Sequence, residues 1–195
     1  ELQVIANLLQ ALPQQTTLAL EAGQRYQLAH YGIWGYALLS SSSLREALEL
    51  GLRYLDLTFA FSRIELRTDG ERAFLELDAL AVPEAVRDFV LLRDCAAIAL
   101  IQQELTGQPS PFTAVELCLP RPGADELKHY RQTLGCEPRF GGPHNRIELS
   151  SRLLDLPLAG GNAATVQLCE AQCRQLLQRH RARAGLAAKV RELLL

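Results

Sequence analysis

Methionine is absent from the 195 residues, tryptophan occurs once, and aromatic residues make up 6%. No apolar run approaches the ~20 residues that span a bilayer, and no basic region precedes a hydrophobic core at the N-terminus. A membrane span and a secretion signal are therefore not expected, and the working compartment reads as the cytoplasm. Charge is also unremarkable: 20 Lys and Arg stand against 22 Asp and Glu, a net of −2 without long blocks of one sign. Such a chain has no electrostatic footprint for wrapping nucleic acid or sitting on an anionic membrane.

Motifs of chemistry are missing too. There is no G-x-S-x-G, no H-E-x-x-H, no Walker phosphate loop and no G-x-G-x-x-G, so neither an enzyme nor a nucleotide cofactor is expected. His30, His129, His144 and His180 are scattered, with no two at metal spacing, and no metal site is expected. His30 and His144 lie beside glycines or aromatics and remain open as cleft residues. The five cysteines, Cys95, Cys118, Cys136, Cys169 and Cys173, form no C-x-x-C pair. An odd set in apolar surroundings reads as buried thiols in a reducing compartment, with oxidant sensing by Cys169 and Cys173 a lesser alternative.

What is present is a chain of globular composition, 48% apolar and 22% charged, long enough to bury a core as one domain with a terminal appendage. Its most informative stretch is 30–58. Gly32 and Gly35 bracket Ile33 and Trp34, allowing a close turn or approach that a Cβ would resist. Tyr31, Trp34 and Tyr36 cluster around that bend. Four serines follow, the last of them Ser43, an N-cap with Glu46 at capping-box distance, so a helix is predicted from Leu44. Leu44, Leu48, Leu52 and Leu55 form one apolar face of it.

The same stretch carries a resemblance. Gly32, Gly35 to Ser42, Leu44 to Leu50, Arg53 and Tyr54 resemble the effector-binding, arabinose-binding-like N-terminal domain of AraC/XylS transcriptional regulators. The segments P-F-T-A-V-E-L-C-L-P-R-P, H-Y-R-Q-T-L-G-C-E-P-R-F and I-E-L-S-x-x-L-L-D-L-P-L resemble its second half, so the likeness spans roughly 25–195. In that family a further helical region precedes helices like those this chain would form at 2–12 and 15–24, so the chain is expected to enter the domain after its start. Glu1 in place of Met also suggests a segment of something longer.

In chain order, residues 2–12 place Val4, Leu8, Leu9 and Leu12 on one side of a helix ended by Pro13, and a second helix is predicted at 15–24. Residues 61–80 read as a β-hairpin with an Asp69-Gly70 turn. Pro83 opens a helix over 84–106 with apolar residues on almost every side. Within it Arg93 points at an apolar layer, which leaves two readings: a structural ion pair, or a group that binds an anionic part of an effector. A strand at 113–119, a helix at 124–134, an extended piece at 137–140 and a strand at 145–150 complete the pattern. The predicted class is α+β: hairpin, helix, strand, helix, two strands, in an antiparallel-dominated sheet flanked by helices, with helical termini.

Val166, Cys169, Cys173, Leu176 and His180 make a short coiled-coil-like seam on a helix at 163–180, suited either to its own domain or to a dimer interface. After Gly185 a new helix is predicted, with Leu186, Val190, Leu193 and Leu194 apolar. The expected division is an effector-binding domain at 1–162 and C-terminal helices at 163–195. By the resemblance these would dimerise and lead to an absent helix-turn-helix domain.

A small-molecule pocket is mostly apolar with a few placed polar groups, and Tyr31, Trp34, Tyr36, Tyr54 and Arg93 supply that mixture as effector-binding candidates. The resemblance implies a ligand-sensing domain, a homodimer, and DNA contact only through the absent part. The competing reading is a ligand-independent interaction or dimerisation module, with a cryptic enzyme a distant third.

Overall fold

Alternating polar and apolar residues after Phe61 produce the first two strands of the computed structural model, which describes residues 2–12, 17–109 and 112–193, with 184–193 by backbone alone. β1 (Arg63–Asp69) pairs antiparallel with β2 (Arg72–Asp78), placing Ile64 opposite Leu77 and Leu66 opposite Leu75. A slip of one residue would turn these side chains to the other face, so their burial fixes the register. Asp69 faces Arg72, so the turn residues are Gly70 and Glu71, one position beyond the expected pair, with Gly70 at φ 59°.

β3 (Ala114–Leu117), β4 (Arg139–Phe140) and β5 (Arg146–Ser150) complete a five-stranded sheet of order β1-β2-β5-β3-β4. Every neighbouring pair is antiparallel except β3 with β4. The chain is thus α+β with the predicted element order. Ala73, Leu75, Leu77, Ile147 and Leu149 lie on one face of the sheet and are buried. The other face shows Phe74 flanked by Arg72 and Arg146, whose guanidinium carbons lie 5.3 and 5.2 Å from its ring centre.

Two hydrophobic clusters cover the buried face. One joins Leu75, Leu77 and Ile147 to α5 (Glu84–Thr106) and to Ala19 and Leu20 of α2 (Leu18–Gly23). The other joins Ala73 and Leu149 to α3 (Ile33–Leu39), α4 (Leu44–Arg53) and α8 (Ala163–Leu193). α5 is buried around its circumference from Phe89 to Ala97, as its composition requires. Pro83 precedes it, and Gly107 ends it in the left-handed region at φ 67°. The helix α6 (Ala124–Leu134) buries Leu127, Tyr130 and Leu134, and the short α7 (Ser151–Leu154) buries Leu154.

Local chemistry explains the entry into α4. Ser43 Oγ accepts from the Glu46 backbone N–H at 3.2 Å, as predicted, but the return bond goes one residue upstream. Glu46 Oε2 accepts from the Ser42 N–H at 2.6 Å and from its hydroxyl at 2.7 Å. Four serines therefore act as cap and turn residues. Ahead of them the sequence suggests only a bend, whereas the structure adds α3. Gly32 turns the chain at φ 56°, and a Cβ on Gly35 would run into the Leu28 carbonyl, so close packing rather than propensity holds this helix in place.

Two helical expectations are corrected. α1 (Leu2–Ala11) buries Ile5, with Leu2, Ala6 and Leu9 partly covered, while Val4, Leu8 and Leu12 are exposed. The face turned to the core is rotated from the predicted one: Leu2, Ile5, Ala6 and Leu9 meet the cluster around α5, and of the predicted set only Leu9 is among them. α8 runs as one helix through Gly185, where a break was predicted; a single helix glycine costs only ~1 kcal/mol and does not end a long helix. Pro13 and the side chains of Leu186, Val190, Leu193 and Leu194 lie outside the described residues. The seam on α8 packs against its own domain for two turns: Val166, Cys169 and Cys173 are buried and Leu177 partly so, while Leu176 is 42% exposed.

No described residue pair forms a disulfide; Cys95, Cys169 and Cys173 are buried, Cys136 is half-buried and Cys118 is exposed. Burial pushes the Cys95 thiol far up and the Cys173 thiol up to about 11, so neither is a thiolate near neutral pH. At pH 8 an aromatic disulfide reagent should modify Cys118 rapidly and Cys95, Cys169 and Cys173 only on unfolding. Fast native-state labelling of Cys173 would contradict this packing.

Candidate functional site

Between the two clusters the packing is incomplete. A partly open space of about 90 Å³ lies over Leu75 and Leu149 of the sheet. One wall is the leucine stripe of α4 and the turn after it, Leu44, Leu48, Leu52 and Leu55, with Ala47 and Gly51 between. That stripe is the apolar face predicted from the sequence, but it faces the cavity as well as the core. The opposite wall is a continuous stripe of α5: Arg93, Asp94, Ala97, Ile98, Ile101, Gln102 and Leu105. These positions recur at the spacing that brings residues onto one helical face.

Aromatic rings form the roof. Tyr26, Tyr31 and Phe59 surround one another at 5.8 to 6.2 Å between ring centres, and Tyr31 lies 4.9 Å from Trp34. Trp34 is buried and its indole N–H donates to the Gly51 carbonyl at 3.1 Å, satisfying an acceptor in the last turn of α4 that has no helical partner. α3 and α4 are therefore tied together at the cavity wall. Phe59 is 46% exposed and Tyr26 and Tyr31 are half-buried, so the aromatic side is where the cavity approaches solvent.

The polar groups at the wall are few and mostly engaged. Arg93, 2% exposed, pairs with Asp94 through Nη2 at 2.7 Å and Nε at 3.1 Å, and donates from Nη2 to the Phe59 carbonyl at 2.7 Å. Its guanidinium lies 5.5 Å from the Tyr26 ring centre and 5.3 Å from that of Phe61, a cation–π arrangement. Asp94 also accepts from the Ser62 N–H at 3.1 Å. Arg93 thus meets the requirement that a buried charge be paired. Thr58 donates to the Leu55 carbonyl at 2.7 Å and accepts from the Ala60 N–H at 3.1 Å. Such a lining can hold a small, mostly apolar molecule, and among its described residues no nucleophile lies beside a base.

Of the predicted site residues, the structure brings Tyr31, Trp34 and Arg93 together at the cavity. Tyr36 is 58% exposed on the far side of α3, and Tyr54 is buried with its hydroxyl donating to Glu170 of α8 at 3.2 Å. Neither lines the cavity. His30 is exposed, with Nδ1 3.0 Å from the Arg25 carbonyl, and His144 lines a separate, mixed-charge groove beside β1 and β2. Among the described residues no group of three His, Cys, Asp or Glu is placed to hold a metal ion, and no helix is long and apolar enough to cross a membrane. Sequence reasoning did not find Tyr26, Phe59, Asp94 or Gln102. The α5 stripe was there to be read at helical spacing, but Tyr26 and Phe59 come from irregular segments without a period.

Comparison with known proteins fits this geometry. A family model described as the arabinose-binding domain of AraC transcription regulators, N-terminal, matches residues 1–158. Uncharacterised HTH-type transcriptional regulators of Mycobacterium bovis and Mycobacterium tuberculosis are each 32% identical over 199 aligned residues, covering 98% of this chain and 56% of the relative. The ornithine utilization regulator of Pseudomonas aeruginosa is 33% identical, over 95% of this chain and 54% of its own. The chain therefore spans about half the length of these curated relatives, each of which is named as a regulator. The crystal structure of the transcriptional regulator CdpR from Pseudomonas aeruginosa superposes with a TM-score of 0.62 at 22% identity, covering 77% of this chain and 49% of that one, and shares the fold.

Removing one member of the buried ion pair should be far worse than removing both. Asp94→Ala is expected to cost about 3–5 kcal/mol by urea denaturation, whereas the double variant Arg93→Met, Asp94→Leu should recover most of the loss. A single-variant cost no larger than that of a surface substitution would show that the pair is not buried as described.

Proposed function

This chain belongs to the family of arabinose-binding N-terminal domains of AraC transcription regulators, and we propose that it is the ligand-sensing domain of such a regulator, with the aromatic-roofed cavity as its effector site. The carrying observation is that the walls of the cavity are also the elements that hold α8. Trp34 and Leu38 line the cavity from α3. The same helix packs on the buried seam Val166, Cys169 and Cys173 of α8. At the end of α4, Arg53 pairs with Glu170 at 2.6 Å, and beyond it Asp56 pairs with Arg181 at 3.1 Å.

An effector that binds one arrangement of α3 and α4 better than another shifts the population between them, and α8 follows the helices on which it rests. It acts without covalent chemistry. In a full-length regulator DNA recognition would belong to the remainder of the protein, and α8 would carry the change toward it. A homodimer is part of this reading, with the outward face of α8, where Leu168 is 62% exposed, available for it. That exposed leucine, with Tyr36 and Leu39 exposed on α3, also keeps a ligand-independent interaction module as the second reading.

A thermal-unfolding screen of small molecules, with the emission of Trp34 followed in parallel, separates the two. A ligand at about 100 times its dissociation constant should add roughly 2.7 kcal/mol to stability, and should perturb the emission of the chain's single tryptophan. The cavity-filling variant Leu48→Trp should abolish the stabilisation while retaining a cooperative melt. Concentration-dependent association with no stabilising ligand would favour the interaction module.

A further inference from the structure

We propose that the molecule this cavity takes is small, neutral and apolar over most of its surface, with one hydrogen-bond donor directed at Gln102 Oε1. The inference rests on the reading of the cavity as the effector site and adds the chemistry of its occupant. Gln102 lines the cavity and is 5% exposed, yet among the described residues none donates a hydrogen bond to its Oε1. Burying such an acceptor unpaired is costly, and native structures rarely leave one without a reason.

The orientation of the amide is set by its surroundings. Gln102 Nε2 donates to Thr106 Oγ1 at 2.9 Å, and the single Thr106 hydroxyl proton goes to the Gln102 backbone carbonyl, also at 2.9 Å. Thr106 Oγ1 can therefore only accept from the amide, so the nitrogen faces it and the oxygen is the group left over. A ligand hydroxyl or N–H would complete it.

The rest of the lining excludes more polar occupants. Arg93 is committed to Asp94 and the Phe59 carbonyl, and an anion brought to it would meet the Asp94 carboxylate. A sugar would carry several hydroxyls into a space walled by leucines, isoleucines and aromatic rings, where most would lose their water partners without replacement. A charged amino acid faces the same difficulty at both ends. The space of about 90 Å³ exceeds one water's share of roughly 30 Å³ and falls below the usual ligand pocket of about 300 Å³. It suits an occupant no larger than a single ring unless the aromatic roof moves.

Phenol and toluene, near-isosteres that differ in the donor, are the probes, with benzoate, L-arabinose and L-ornithine as polar comparisons. Binding is measured by isothermal titration and thermal shift on the wild type, Gln102→Met and Gln102→Leu, with circular dichroism to select variants that fold. The wild type should bind phenol about tenfold or more tightly than toluene. In either folded variant that preference should collapse, with toluene binding retained. Equal wild-type affinities, selectivity surviving in both variants, or tighter binding of benzoate, arabinose or ornithine would overturn the proposal while leaving the cavity as an effector site. If none of the probes bound, or Leu48→Trp left phenol binding intact, the cavity reading itself would fall and this proposal with it.

Discussion

Enclosure of α5 is the constraint on which the rest depends. A helix with apolar residues on every side has no face to give to water, so other elements must surround it. The sheet covers one side through Leu75, Leu77 and Ile147, and α1 and α2 cover another. α4, α3 and the aromatic turn close over the remaining stripe. They do so imperfectly, and the gap is the cavity. Arg93 and Asp94 sit at its wall as a pair that the low-polarity surroundings make costly to break and of little net value to make.

The proposed sensing role follows from where that gap lies. Gly35 and Gly51 allow α3 to rest closely on the Leu28 carbonyl and against α4, and the indole of Trp34 joins the two helices. α8 then rests on the outer side of α3 with Cys169 and Cys173 as small, adaptable contacts. One helix thus touches both the cavity and α8. Close-packed interiors transmit displacement poorly by compression and well by moving whole elements, so α3 is the natural lever.

Much of this was legible in the residues. Ser43 and Glu46 located the start of α4, Pro83 and Gly107 bracketed α5, and the element order gave the α+β sheet. The leucine stripe of α4 was recognisable as one face, yet periodicity cannot distinguish a wall against other side chains from a wall against empty space. α3 escaped because its seven residues include a glycine and two aromatics, poor in helix propensity and stabilised by tertiary contact instead. Tyr36 sits near Tyr31 in sequence and Tyr54 lies at the end of α4, but helical turn geometry sends one to solvent and the other to Glu170 of α8. The open acceptor of Gln102 depends on which neighbour uses the Thr106 hydroxyl, and no sequence pattern encodes that.

Amide hydrogen exchange across Ala37–Ser40 and Val166–Cys173, measured with and without a molecule that stabilises the domain through the cavity, tests the central claim most directly. Occupancy transmitted through α3 predicts that exchange changes in both segments and that both changes vanish in Leu48→Trp. Protection confined to α4 and α5, with α8 exchanging at its original rate, would contradict the account and leave the cavity a binding site without a lever.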